Sequence, residues 1–122
     1  MPAVLYVDDS SDDLFYARYT RDKWQLDIDL TCFSTTQAAQ DALEALLAAG
    51  KPLPDILIVD LYMPLESGIG LIARLRADTR FKSMRLGVCS GSDAREDHDR
   101  AIAAGADFYM EKPLDLKSVA AR

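Results

Sequence analysis

The chain has 122 residues, of which 49% are hydrophobic and 28% are charged, a composition typical of a soluble globular protein. Fourteen basic and twenty acidic residues give a formal net charge of −6, which disfavours direct binding to nucleic acid or anionic lipid. No apolar run approaches the ~20 residues that span a bilayer, and the N-terminus has neither a basic leader nor a signal-type apolar stretch. We therefore expect one cytoplasmic domain over residues 1–122.

Short apolar runs alternate with longer helical patterns along the whole chain, which is typical of a parallel sheet wrapped by helices. The predicted strands are residues 3–8, 27–33, 55–60, 85–90 and 107–111. The predicted helices are residues 12–24, 36–49, 68–79 and 93–104, with a last helix starting near residue 115. The third strand is apolar on both faces and should be central, whereas the second alternates and should lie at the rim.

Turn and cap residues support these boundaries. Thr35 or Thr36 can cap the second helix, which should end at Gly50, and Gly105 should end the fourth helix. The two cysteines, Cys32 and Cys89, fall in strand-like segments and are expected to be buried free thiols rather than a disulfide or a metal site.

Six residues that begin at the end of the first predicted strand contain four carboxylates: Asp8, Asp9, Asp12 and Asp13. Asp12 and Asp13 fall at the start of the next helix, behind Ser10 or Ser11 as its cap, where the helix dipole stabilises negative charge. For that reason we expect the loss of Asp13 to cost only stability. Asp8 and Asp9 lie at the strand end, where their mutual repulsion needs a compensating cation or hydrogen-bond donors.

Polar residues also close three other predicted strands. Asp60 closes the third strand and Ser90 the fourth, and Lys112 with Pro113 follows the fifth. Because functional crevices in open parallel sheets lie at the carboxyl ends of the strands, these side chains should share one pocket with the acidic pair. Taken singly, each is more often a solvated turn or loop residue; their common edge carries the inference.

The chemistry of that pocket predicts metal-assisted phosphoryl transfer. Three carboxylates and water suit Mg²⁺, or Mn²⁺ in its place. Lys112 cannot bind a cation, but an ammonium and the Ser90 hydroxyl can both bind a dianionic phosphoryl group. Asp60 is then the candidate nucleophile, which would form an aspartyl phosphate.

Four motifs match a known family in order and spacing. They are Asp8-Asp9, the run D-x-x-M-P-x-x-x-G from Asp60 to Gly68, the pair Ser90-Gly91, and G-A-D-x-Y-x-x-K-P from Gly105 to Pro113. Over essentially its whole length the chain resembles the receiver domain of two-component response regulators, of the single-domain, chemotaxis-regulator-like type. The resemblance implies a flavodoxin-like α/β fold: a (βα)5 three-layer sandwich with five parallel strands in the order 2-1-3-4-5 and, here, a short last helix.

The resemblance also implies a metal site. By matching positions, Asp60 is the phosphoacceptor, Asp9 is a direct Mg²⁺ ligand, and Asp8 is a ligand acting through water. The backbone carbonyl of Tyr62 would supply another oxygen. Tyr62 is bulkier than the small residue often found there, so it either shields the acyl phosphate from water or packs over the loop; both alternatives stay open.

The remaining motif residues are implied to bind the phosphoryl group and to transmit its arrival. Ser90 would contact a phosphoryl oxygen, and Lys112 would pair with that group, or with Asp60 before transfer. Tyr109 takes the position of the switch aromatic, whose rotamer changes with the protein-binding surface. A cis peptide bond before Pro113 would fix the approach of Lys112.

The resemblance implies a phosphoacceptor that assists its own phosphotransfer and autodephosphorylation, rather than an enzyme in the ordinary sense. We expect a stand-alone regulator, since no effector domain follows residue 122 in the printed sequence. Its partners would be a sensor histidine kinase or a histidine phosphotransfer protein, and a downstream protein target.

The alternative is a pseudo-receiver that binds partners without phosphorylation. Five intact side chains argue against it: Asp8, Asp9, Asp60, Ser90 and Lys112. An aspartate-nucleophile phosphatase and a flavodoxin fit less well, because the first strand is followed by neither D-x-D nor an anion-binding loop.

Three surface features remain. Phe15 and Tyr19, four residues apart, are expected to pack on the sheet as core, while the other aromatic residues of the first helix could form a kinase-docking or dimer surface. A short last helix would either reflect truncation or leave an apolar strip that favours a homodimer. His98 is expected to lie on a solvated helix face.

Overall fold

A computed structural model describes residues 1–63 and 65–121 of the chain. The strands are β1 (Ala3–Val7), β2 (Asp29–Phe33), β3 (Ile56–Val59), β4 (Arg85–Ser90) and β5 (Phe108–Glu111). The helices are α1 (Ser11–Lys23), α2 (Thr36–Ala48), α3 (Gly68–Ala77), α4 (Arg95–Ala104) and α5 (Leu116–Ala120). The predicted alternation of strands and helices is confirmed, with most boundaries displaced by one or two residues.

The five strands form one parallel sheet in the order β2-β1-β3-β4-β5, as predicted. All four residues of β3 are buried, as its uniformly apolar sequence indicated, and β2 lies at the rim with exposed residues alternating along it. The strand order reverses at β1, because β2 pairs with one side of β1 and β3 pairs with the other. The carboxyl ends of β1, β3, β4 and β5 therefore share one edge.

Two buried clusters, one on each face of the sheet, complete a three-layer flavodoxin-like sandwich. One face packs against α2, α3 and α4, through residues such as Leu43 and Leu71. The other packs against α1 and α5, through residues such as Leu14 and Val119. Because successive strand residues point to opposite faces, each strand contributes side chains to both clusters.

Side-chain caps fix the helix starts. Ser10, not Ser11, caps α1 by accepting the backbone N–H of Asp13, and Thr35 caps α2 by accepting that of Ala38. Gly105 follows α4 in the left-handed region at φ 115°, where a side chain would be strained. These cap predictions are confirmed.

The third helix is shorter than the predicted 68–79. It ends at Ala77 because Asp78 adopts an extended backbone and accepts the N–H of Arg80, starting a separate 3₁₀ turn at Thr79–Phe81. The last helix is short, as expected, and Asp115 caps it. None of the helices in the described part of the chain has the length and apolar character needed to cross a membrane.

The prediction that Phe15 and Tyr19 belong to the core is wrong. The two side chains are 63% and 48% exposed, and their rings stack on each other with centroids 6.2 Å apart. The buried face of α1 is instead made by Leu14 and Ala17, because the four-residue spacing of the aromatics falls on the neighbouring stripe of the helix. Both cysteines are free thiols, but only Cys89 is fully buried.

Candidate functional site

Three carboxylates meet at the carboxyl edge of the sheet. The backbone ladder continues one residue past β1 and β3, since Asp8 N–H donates to Phe33 O and Asp60 N–H donates to Val7 O. Oxygen atoms of Asp8, Asp9 and Asp60 all lie within 4.8 Å of one another. Asp8 and Asp60 are buried, whereas Asp9 is exposed at the mouth of the pocket.

Two hydrogen-bond donors from neighbouring residues of the chain hold the Asp8 carboxylate, in addition to the Lys112 ammonium. The buried Tyr6 hydroxyl donates to Asp8 Oδ2 at 2.8 Å, and the Ser10 backbone N–H donates to Oδ1 at 2.9 Å. Burial, reinforced by nearby Cys89 and Asp8, raises the pKa of Tyr6 well above its ordinary range, so the hydroxyl keeps its proton and remains a donor. Sequence reasoning missed Tyr6, although its place two residues before Asp8 on the same strand face was a usable signal.

Asp60 is 7% exposed, and its surroundings shift the pKa of its carboxyl above the ordinary value. Burial is the largest cause and raises the pKa of Asp60, and the negative charge of Asp8 raises it further. The Lys112 ammonium and a hydrogen bond donated by the Tyr62 backbone N–H both lower the pKa. A cation bound in the pocket would offset the cost of burying the negative charge of Asp60.

The start of α3 packs directly against the backbone of Asp60. Gly68 N–H donates to Leu61 O at 3.0 Å, which closes the loop after β3. A Cβ at Gly68 would lie 2.2 Å from the carbonyl oxygen of Asp60. The glycine that ends the D-x-x-M-P-x-x-x-G motif therefore lets the helix approach the candidate phosphoacceptor.

Lys112 reaches the pocket from the end of β5. Its backbone N–H donates to Ser90 O at 2.8 Å, and the following bond to Pro113 is cis, as predicted. The ammonium Nζ lies 2.9 Å from Asp8 Oδ2 and 3.2 Å from Asp60 Oδ2. Burial alone would lower the pKa of Lys112, but its carboxylate partners outweigh that effect and raise it, so the side chain is charged.

Asp13 also joins this ion-pair cluster, which the sequence reading did not anticipate. Its Oδ2 lies 2.7 Å from the Lys112 ammonium, the shortest of the three carboxylate contacts. The expectation that Asp13 serves only the start of α1 is therefore wrong: its position two residues beyond the helix start, on the turn facing β5, brings the carboxylate into the pocket.

Ser90 and Tyr109 both contact Ser92, in the loop between β4 and α4. Ser90 is fully buried, and its hydroxyl oxygen accepts the N–H of Ser92 at 3.2 Å. The half-buried Tyr109 donates its hydroxyl to Ser92 O at 2.7 Å. Ser92 thus links the candidate phosphoryl contact to the candidate switch aromatic.

Tyr62 extends from the loop after β3 to α4. Its hydroxyl donates to Asp97 Oδ2 at 2.5 Å, and the Ser92 hydroxyl donates to the same oxygen at 2.6 Å. These hydrogen bonds lower the pKa of Asp97, and the bond to Asp97 raises that of Tyr62. His98 is half exposed, as predicted for a helix face, and its ring also contacts Tyr109 at 5.3 Å between centroids.

The chemistry of the donor set fits a divalent metal ion. Three carboxylates at the spacing of Asp8, Asp9 and Asp60 are hard oxygen ligands that carry more negative charge than the single ammonium of Lys112 balances. The accessible Asp9 leaves one side of the cluster open to water.

Comparison with known proteins agrees with this geometry. The family model described as "Response regulator receiver domain" matches residues 4–122. The transcriptional regulatory protein PhoP of Escherichia coli O157:H7 is 39% identical over 84 residues, which are 69% of this chain and 37% of that protein. The chain thus spans less than two fifths of the length of such curated relatives.

Two solved structures are similar over nearly the whole chain. The chemotaxis response regulator CheY4 of Vibrio cholerae superposes with a TM-score of 0.76 at 23% identity, covering 99% of this chain and 98% of that one. A response regulator from Burkholderia pseudomallei, solved with a phosphorylated aspartic acid, a calcium ion and citrate, gives 0.71 at 26% identity, covering 99% and 65%. With its flavodoxin-like sheet and acidic pocket, the chain belongs to the response regulator receiver domain family of two-component signal transduction.

Proposed function

We propose that the chain accepts a phosphoryl group on Asp60 from the phosphohistidine of a sensor kinase or a histidine phosphotransfer protein, in a reaction that depends on Mg²⁺. The observation that carries the proposal is that the carboxylates of Asp8 and Asp9 and the ammonium of Lys112 all lie close to the Asp60 carboxylate. The phosphorylated aspartic acid and calcium ion in the Burkholderia pseudomallei structure support the same chemistry.

In the proposed step, an Asp60 oxygen attacks phosphorus, the P–N bond of phosphohistidine breaks, and the electron pair of that bond leaves with the imidazole. The chain's own part is to place the nucleophile and to neutralise the transferring oxygens. Lys112 is already 3.2 Å from Asp60 and can donate to the new phosphoryl group. Ser90, buried at the end of the neighbouring strand, is the proposed hydroxyl donor to another phosphoryl oxygen.

The proposed metal ligands are Asp8, Asp9, Asp60 and the backbone carbonyl of Tyr62. When bound, Mg²⁺ supplies positive charge that offsets the phosphoryl oxygens and the crowded carboxylates. The part of the chain is to orient those carboxylates, and Asp8 is held in place by the Tyr6 hydroxyl and the Ser10 backbone N–H.

The proposed signal to a downstream protein would start at Ser92, which contacts both Ser90 and Tyr109. The Ser90 hydroxyl oxygen accepts the Ser92 N–H, so its own proton can be donated to a phosphoryl oxygen. A rotation of Ser90 toward that oxygen would alter its contact with Ser92, whose carbonyl is the acceptor for Tyr109. A local electrostatic event would thereby bias the surface formed by α4 and β5 and present it to a downstream protein.

The test is incubation with acetyl phosphate and Mg²⁺, followed by intact mass. Wild type should gain the mass of one phosphoryl group, the adduct should depend on the metal, and Asp60→Asn should gain none. No adduct on wild type, together with retained binding of a partner kinase, would favour a pseudo-receiver. An adduct that persists in Asp60→Asn would place the acceptor elsewhere.

A further inference from the structure

The Lys112 ammonium has three N–H donors, and three carboxylates surround it. Its distances are 2.7 Å to Asp13, 2.9 Å to Asp8 and 3.2 Å to Asp60. We propose that Asp13 is a positioning residue that competes with Asp60 for the Lys112 ammonium and so restrains phosphoryl acceptance, an inference that rests on the proposed transfer to Asp60.

Asp13 and Lys112 are both anchored by hydrogen bonds of their backbone N–H groups. The N–H of Asp13 donates to the Ser10 hydroxyl oxygen at 3.3 Å, which fixes the first turn of α1. The N–H of Lys112 donates to Ser90 O at 2.8 Å. Because backbone hydrogen bonds hold both residues, the Asp13 carboxylate is a fixed partner for the ammonium, and its side chain is only 33% exposed.

Asp13 competes with an arriving phosphoryl group for the same donor. A phosphoryl oxygen on Asp60 can be bound by Lys112 only if the ammonium shares or gives up a present contact. Asp13 makes the shortest contact, while Asp60 makes the longest. Asp13 also adds a negative charge beside a pocket that must receive a dianion.

Replacement of Asp13 should therefore free the ammonium without detaching it. In Asp13→Asn the side chain keeps its size and loses its charge, and Lys112 still has Asp8 and Asp60 as partners. The ammonium can then move toward Asp60, and less negative charge opposes the phosphodonor. The same loss of charge should weaken Mg²⁺ binding, so the two effects have opposite signs.

The chain offers a matched control in Asp12, an exposed carboxylate on the same first turn of α1. Asp12→Asn removes the same charge from the same helix end but leaves the Lys112 ion pair intact. Asp13→Glu restores the charge and tests rescue. At saturating Mg²⁺, we expect phosphorylation by acetyl phosphate to be about threefold to tenfold faster in Asp13→Asn than in wild type, with Asp12→Asn and Asp13→Glu close to wild type.

A second readout is independent of phosphorylation. The Lys112 side-chain ammonium resonance in ¹⁵N NMR should shift, and its protons should exchange faster with water, in Asp13→Asn but not in Asp12→Asn. Titration with Mg²⁺ alone should give weaker binding in Asp13→Asn. Thermal unfolding of each variant checks that the fold is kept.

The outcomes separate the two proposals. If wild type gains no phosphoryl group, the function proposed for Asp60 fails. If wild type is phosphorylated but Asp13→Asn behaves as Asp12→Asn does, or is slower than wild type, the restraint by Asp13 is overturned while the function of Asp60 stands.

Discussion

The Tyr62 hydroxyl donates to Asp97 across 2.5 Å and thereby joins the loop after the candidate phosphoacceptor to α4. Asp97 is buried although it lies on a strongly charged helix, and it also accepts the Ser92 hydroxyl. Ser92 in turn contacts both Ser90 and Tyr109 through its backbone. The Asp97 carboxylate therefore connects the loop after β3 to the loop after β4.

Removing the Tyr62 hydroxyl should loosen this connection. In Tyr62→Phe, Asp97 keeps Ser92 as a donor, so the fold should persist, but the loop after β3 loses its tie to α4. We expect faster amide hydrogen exchange in residues 61–63 and 65–67 and a small fall in unfolding temperature. Tyr16→Phe, a change at an exposed tyrosine of α1, is the control. Equal exchange in the two variants would mean that the hydrogen bond does not order the loop.

Much of the fold was predictable because its signals are local. The uniformly apolar β3 and the alternating β2 gave their places in the sheet from hydrophobic patterning alone. Thr35 and Gly105 marked helix ends, since caps depend on the chemistry of one residue and its nearest backbone. Convergence of the strand-end residues followed from the parallel topology.

The missed features depend on distances that no local pattern encodes. Asp13 and Lys112 are 99 residues apart, and Tyr62 and Asp97 are 35 apart. Whether such pairs meet depends on how α1 and α4 are rotated against the sheet. The core prediction for Phe15 failed for the same reason: its spacing from Tyr19 identified one helix stripe but not which stripe faces inward.

Gly68→Ala should destabilise the protein through a single methyl group. The added Cβ would lie 2.2 Å from the Asp60 carbonyl oxygen, so α3 or the backbone of Asp60 must shift. We expect the free energy of unfolding to fall by about 1–3 kcal/mol, the usual cost of overpacking. Urea unfolding measures it.

Gly70→Ala is the matched control for that prediction. It lies in the same helix, but its Cβ would meet the flexible side chain of Glu66 at 3.2 Å rather than backbone. Because alanine is the better helix former, we expect no loss, or a gain of up to ~1 kcal/mol. A comparable loss in both variants would show that helix disruption, not the contact with Asp60, explains the result for Gly68.

Asp9→Ala should impair metal binding more than folding. Asp9 is exposed beside the buried Asp8 and Asp60, so its removal would delete a proposed oxygen ligand without opening a cavity. Loss of residues that merely support metal ligands typically costs 10–100-fold in affinity, so a direct ligand should cost at least about tenfold. Calorimetric titration with Mg²⁺ tests this, and phosphorylation should be lost with it. A similar loss of affinity in Asp12→Ala would indicate a general charge effect instead.

The Asp97 carboxylate should make part of the stability depend on pH. Hydrogen bonds from Ser92 and Tyr62 lower its pKa in the folded protein below the ordinary value of about 4. An acid whose pKa is lowered by folding stabilises the folded state above its ordinary pKa, and this contribution is lost as the pH falls through the folded value. Asp97→Asn removes the contribution at every pH.

Wild type should therefore exceed Asp97→Asn in free energy of unfolding near neutral pH, and the difference should shrink as the pH falls below about 4. Urea unfolding of both proteins across that range measures it, because the titration of all other carboxylates cancels in the difference. Asp99→Asn, on the same helix with an exposed carboxylate 3.7 Å from Arg95, serves as the control and should differ from wild type little. A difference for Asp97→Asn that stays constant, or grows in acid, would mean that the ionised carboxylate is not what joins Tyr62 and Ser92.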